Sequence, residues 1–235
     1  MTTVSILEQL AAMGSEQTRK TFKNHGAPDN MFGVKVGDLK TIVKKVKKNH
    51  ELSLELYATG NSDAQYLAGL IADEKRITTA DLQRWAEGAT WYMLSEYTVP
   101  WVAAESPHGW QLALQWIESD QEKIAECGWA TLNNWVSLRS DETLDIPALS
   151  QLLDRVSDNI HPAQNRVRYV MNGFVIATGC YVAPLLEKAK AVAQQIGKVS
   201  VNVGNTACKV PFAPDYIQKV EEMGRVGVKR KNARC

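Results

Sequence analysis

Metal-ligand and redox signatures are missing from this 235-residue chain. The four cysteines (Cys127, Cys180, Cys208, Cys235) form no C-x-x-C pair, and the four histidines (His25, His50, His108, His161) form no H-x-x-x-H set. A zinc site is therefore not expected, and no metal or cofactor follows from the sequence. Cys127 and Cys180 fall in apolar helical patterns, where a free thiol behaves as a small buried hydrophobe; a reduced cytosolic thiol set is the simplest reading. No uninterrupted apolar stretch is long enough to span a bilayer. The opening MTTVSILEQLAAMGSEQTRK has no basic leader, and Glu8 breaks its apolar run, so it reads as an amphipathic helix and not a signal peptide. The expectation is a cytoplasmic monomer without a membrane partner. β-Branched alternation is nearly absent before residue 198.

What is present is ordinary in amount and unusual in layout. Hydrophobic residues make up 45% and charged residues 23% of the chain, as in a soluble globular protein. The net charge of +1 hides a segregation. Residues 1–50 hold nine Lys/Arg against four Asp/Glu, residues 51–160 six against eighteen, and residues 161–235 twelve against four. Both ends are basic and the middle is acidic, a distribution that shapes the field around a molecule whatever its net charge.

Helix signals recur with short gaps. Thr78-Thr79 opens a segment that Gly88 closes, and Thr90 opens one through about Ala104, with Pro100 predicting a kink or early end near Val99. Ser106-Pro107 reads as an N-cap with proline at the first helical position. Ser119 with Glu122 reads as a capping box. Asp145/Pro147, Pro162 and Pro184 mark further starts, and Gly197 a stop. Sequential helices on short loops pack as antiparallel neighbours, in a bundle or a solenoid. Starts near 61, 106, 145 and 183 give a loose period of roughly forty residues, in the range of HEAT-type repeats. The fold expected is all-α, a curved solenoid of HEAT-like antiparallel helix pairs over residues 1–197. Residues 198–235 read as an appendage packed on or trailing from it. Within it, alternating valines and Gly204-Asn205 predict an extended segment or hairpin over 198–214, followed by a helix over 215–223. The tail, with Arg225, Lys229, Arg230, Lys231 and Arg234, reads either as a phosphate-contacting arm or as a solubilising end.

All seven tryptophans lie between Trp85 and Trp135. Most belong in the core, where tryptophan at helical spacing packs between helices. Tyr92 precedes Glu96 by four residues, which places ring and carboxylate on one helix face. Arg166 and Arg168 open a helix carrying Phe174, and read as phosphate contacts or as surface salt bridges. Lys44, Lys45, Lys47 and Lys48 cannot all share one face; a solvated surface and non-specific DNA contact, from Lys44 and Lys48, are the two readings.

Several stretches carry a resemblance. Phe32-Gly33-Val34-Lys35 with Asp38-Leu39-Lys40, Thr90-Trp91-Tyr92-Met93-Leu94-Ser95-Glu96, Trp116-Ile117-Glu118-Ser119-Asp120 and Asn172-Gly173-Phe174 resemble segments of the DNA alkylation repair family. These are the HEAT-like-repeat alkylpurine DNA glycosylases of the AlkD type, and the similarity spans most of residues 5–195. The resemblance implies a basic concave groove that holds duplex DNA and releases cationic N3- and N7-alkylated purines. A cationic base is already a good leaving group, so a carboxylate that stabilises the developing oxocarbenium charge, with aromatic faces nearby, suffices. Carried over by position, Glu96 stands for the family's catalytic Asp, Tyr92 for a Trp, and Phe174 for a later Trp. The groove Arg aligns with Glu126 or Cys127. Two readings follow. One is a DNA-binding N-glycosylase with Glu96 as electrostatic stabiliser, Trp91, Tyr92 and Phe174 as aromatic wall, and Arg166, Arg168, Lys44, Lys48 and Arg230 on the DNA backbone. The other is a non-catalytic module for structured DNA or a protein partner.

Overall fold

The computed structural model describes residues 1–234, so Cys235 lies outside the described residues. Among these there are thirteen α-helices and no strand: α1 Thr3–Met13, α2 Glu16–Asn24, α3 Val36–Val46, α4 His50–Ala58, α5 Ser62–Ile71, α6 Thr79–Glu87, α7 Val99–Glu105, α8 Gly109–Trp116, α9 Glu122–Leu138, α10 Ile146–Asn159, α11 Asn165–Tyr181, α12 Leu186–Ile196 and α13 Ala213–Glu222. A π-helical turn, Met93–Thr98, leads directly into α7. No single helix among the described residues is long and apolar enough to cross a membrane.

The architecture is the curved all-α solenoid of HEAT-like pairs. One continuous layer runs α5, π turn with α7, α9, α11, α13, each packed on the next, while α4, α6, α8, α10 and α12 pack as their partners. The apolar core is continuous through α9: Ile124 and Cys127 join the cluster toward the N-terminus, while Ala125, Trp129 and Ala130 join the one toward the C-terminus.

Local signals explain many of the helix ends. Thr78 caps α6 in a reciprocal capping box with Asp81, and Asp145 caps α10 with Pro147 in its first turn. Two expected caps fall elsewhere. Ser119 accepts from Gln121 N–H in the loop, and α9 starts after Gln121 with no side-chain cap. Glu122 instead accepts the N–H of Arg166 at 2.8 Å, a tertiary partner replacing the local one. Ser106 closes α7, and α8 begins only at Gly109. Pro100 does not end its helix. It has no N–H to return to Glu96 O, and the preceding turn widens, with Val99 N–H reaching Leu94 O five residues back.

Two C-terminal segments cross the helix layer. Residues 198–212 are irregular and form no hairpin, because helix side chains and a helix end take up their backbone groups. Asn165 exchanges two hydrogen bonds with Asn202 (2.7 and 2.9 Å), Asn172 Nδ2 donates to Pro211 O at 2.9 Å, and Asn205 N–H donates to Asn24 O at 3.1 Å. Gly204, at φ +83°, lies so close to the end of α2 that a Cβ there would come within 2.3 Å of Asn24 O. The tail, read from sequence as a phosphate-contacting arm or a solubilising end, is packed on the helices. It runs along the C-terminal ends of α11, α9, α7 and α5 as a strap. Gly227 N–H donates to Cys180 O, Lys229 Nζ to Val136 O and Tyr181 O, Arg230 N–H to Ser137 O, and Arg234 Nη1 to Ala72 O. Helix ends leave four carbonyls unsatisfied and partly negative, and cations complement them.

Candidate nucleic-acid interface

The wide turn before Pro100 directs Glu96 inward, toward α11. Its carboxylate is buried, only 6% exposed, and Arg166 closes on it: Nε at 2.7 Å and Nη2 at 2.5 Å, both to Oε1. The guanidinium lies between two rings, 4.9 Å from the centroid of Tyr92 and 4.5 Å from that of Tyr169. Behind this pair, Glu126 is fully buried. It accepts from Lys123 Nζ at 2.8 Å and from the Ser95 hydroxyl. Burial pushes the Glu96 carboxyl up to about 8, with Arg166 pulling the other way and Glu126 adding to the rise. Burial also raises Glu126, against the pull of Lys123. Arg166 itself is held above its ordinary value by Glu96, which outweighs its own desolvation. The pair's geometry is that of two ions, and burial is what opposes it.

The other residues singled out from sequence are scattered. Tyr92 is half-buried and meets Trp91, Tyr97 and His25 at ring distances of 5.3, 6.1 and 6.0 Å. Trp91 is a core residue, packed on Phe22 at 5.4 Å. Phe174 is fully buried against Trp129 at 5.4 Å. It has no exposed face, so a role in an aromatic wall against DNA does not fit its position. Arg166 is bound to Glu96 instead of facing phosphates. Arg168 turns back on its own helix start, toward His161 O and Asn165 Oδ1 at 3.4 Å. Lys44 is exposed. Lys48 is exposed but bound to Glu74 at 2.5 Å, and Arg230 is exposed on the strap.

Sequence reasoning missed the partnership at the centre. Arg166 looked like a phosphate ligand because nothing local places it opposite Glu96, seventy positions away. It also passed over Tyr97, Asn133 and Tyr169, which meet Glu96 and Arg230 around one cleft. The one available signal was that Tyr169 follows Arg166 by three residues, on the same helix face.

The model of the DNA alkylation repair enzyme family matches residues 6–194. The chain belongs to that family. Two curated relatives, uncharacterised proteins of Listeria monocytogenes and Listeria innocua, are 39% and 37% identical over 217 residues, which is 90% of this chain and 93% of each relative. A solved structure at 39% identity superposes with a TM-score of 0.91 over the whole of both chains. That protein is described as one of a new family related to the HEAT-like repeat DNA glycosylases, with affinity for branched DNA structures. Glu96, the carboxylate singled out from sequence, is here bound by an arginine of its own chain.

Proposed function

We propose that this member of the DNA alkylation repair family binds branched DNA and does not excise bases. The observation that carries the reading is the Glu96–Arg166 pair. A carboxylate stabilises an oxocarbenium ion through unspent negative charge aimed at the sugar. Glu96 spends its charge on a guanidinium held between two tyrosines, and its side chain is buried. The likeness to a protein with affinity for branched DNA supplies the substrate class. Binding would rest on phosphate neutralisation by exposed cations that no acidic partner claims, such as Lys44 and Arg230.

The test is a pair of assays on one preparation. Electrophoretic mobility shifts should show a three-way junction bound more tightly than a duplex of equal length, with affinity falling as salt rises. Incubation with DNA bearing 7-methylguanine or 3-methyladenine should release no free base. Base release by the wild type that Glu96→Gln abolishes would establish the glycosylase reading instead.

A further inference from the structure

A cleft of about 200 Å³ opens between the π turn with α7, α9 and α11. Its lining includes Glu96, whose charge Arg166 holds, and its other features are of three kinds that together describe one type of guest. The walls are aromatic: Tyr97 and Tyr169 are half-buried, and Trp101 packs edge-on against Tyr97 at 5.6 Å. The polar floor is unsaturated. Asn133 donates through Nδ2 to Val170 O at 3.2 Å, but its Oδ1 is buried and has no hydrogen-bond partner. A buried acceptor without a donor costs free energy that a donor-bearing guest would recover. The mouth carries a cation: Arg230 is exposed, its backbone N–H fixed on Ser137 O at 2.8 Å and its Nη2 on Ala233 O at 2.9 Å. The space exists partly because α11 has glycine at 173, where a Cβ would come within 2.8 Å of Asn133 Nδ2.

A flat π face, an N–H donor on its edge and an attached anion are the parts of one nucleotide. Tyrosine faces take a base by stacking, Asn133 Oδ1 accepts from an amino or imino N–H on its edge, and Arg230 meets a phosphate. A base within a paired duplex offers neither its faces nor its pairing edge, whereas an unpaired base at a branch offers both.

We infer that this cleft, completed by Arg230 of the C-terminal strap, receives one unpaired nucleotide of a DNA branch point. The inference rests on the branched-DNA reading above and adds to it a subsite for a single unpaired nucleotide.

The probe is a three-way junction with an unpaired 2-aminopurine at the branch, followed by fluorescence and by affinity. Wild-type protein should quench the 2-aminopurine on binding. Gly173→Leu, which fills the cleft, should abolish the quenching and weaken junction binding by roughly tenfold or more, as loss of one stacked base does. Asn133→Ala, which removes the waiting acceptor, should weaken binding in the same direction and serves where Gly173→Leu does not fold. A junction that binds with unchanged fluorescence, or quenching that survives Gly173→Leu, overturns the inference and leaves the branched-DNA reading standing. Failure to bind any junction overturns both. If free deoxyadenosine monophosphate binds at millimolar concentration while no junction does, the cleft is a mononucleotide site, and the strand-bound inference falls with the reading beneath it.

Discussion

Glu96 and Arg166 are coupled by more than proximity. Each is desolvated, and each relieves the other; removing one partner leaves a buried charge alone, which typically costs about 3–5 kcal/mol. Arg166→Ala should therefore lower the unfolding free energy by roughly that amount in urea titrations above about pH 8, where Glu96 is ionised, and by less below it. Arg168→Ala, two residues away and more loosely held, should cost under about 1 kcal/mol. The same burial sets a pH dependence. The Glu96 carboxyl in the folded state lies above its ordinary value of 4.5, at about 8, and Glu126 is displaced in the same direction. A group raised in this way stabilises the fold fully below its unfolded pKa and ceases to do so as pH climbs through the folded one. Wild-type stability should decline between about pH 4.5 and pH 8, and Glu96→Gln should flatten the decline in thermal melts. A profile unchanged by that substitution would mean that Arg166 keeps Glu96 ionised throughout. Glu74 behaves in the opposite sense: Lys48 and Arg234 hold it low, so its contribution is lost only as pH falls.

At the scale of elements, the helices whose ends are written locally were legible in the chain. Thr78 with Asp81, and Asp145 with Pro147, are signals a few residues long, and the chain obeys them. Signals that a distant partner outbids were not legible. Glu122 has the spacing of a capping box with Ser119, yet it serves the start of α11. The valines of 198–203 alternate like a strand, yet the segment's backbone pairs with asparagine side chains on α11 and a carbonyl at the end of α2. That crossing depends on Gly204, whose positive φ and 2.3 Å approach to Asn24 O exclude a side chain. Gly204→Ala should detach the crossing at a cost of about 1–3 kcal/mol. Amide hydrogen exchange should then accelerate over residues 200–208 while the helix core stays protected.

For the whole molecule, the charge layout acquires a structural meaning. The acidic middle and the basic end neutralise one another within the chain. Arg166 pairs with Glu96, Lys229 with Asp141 at 2.8 Å, and Arg234 with Glu74 and Glu105 at 3.0 and 3.3 Å. Glu105 also accepts the N–H of Ala233 at 2.7 Å. The strap thus ties the C-terminal ends of α5, α7, α9 and α11 along one edge of the solenoid, and limits how far that edge can open. Truncation after Arg225 should strip these carbonyls and carboxylates of their partners. A loss on the order of 5 kcal/mol is expected from several charge-assisted hydrogen bonds, read as a fall in Tm. The truncation should also weaken junction binding, since Arg230 goes with the strap.

The chain alone determined the class of fold and the family, because helix periodicity, caps and the stretches around Phe32, Tyr92 and Trp116 are written within a few residues of one another. It also singled out Glu96 as the candidate carboxylate. Tertiary structure alone decided what that carboxylate can do, because its electrostatic state depends on Arg166, seventy positions on. The same holds for the tail and the cleft. A row of basic residues looks alike whether it waits for phosphate or caps helix ends, and only packing brings the carbonyls, Asn133 and Arg230 together.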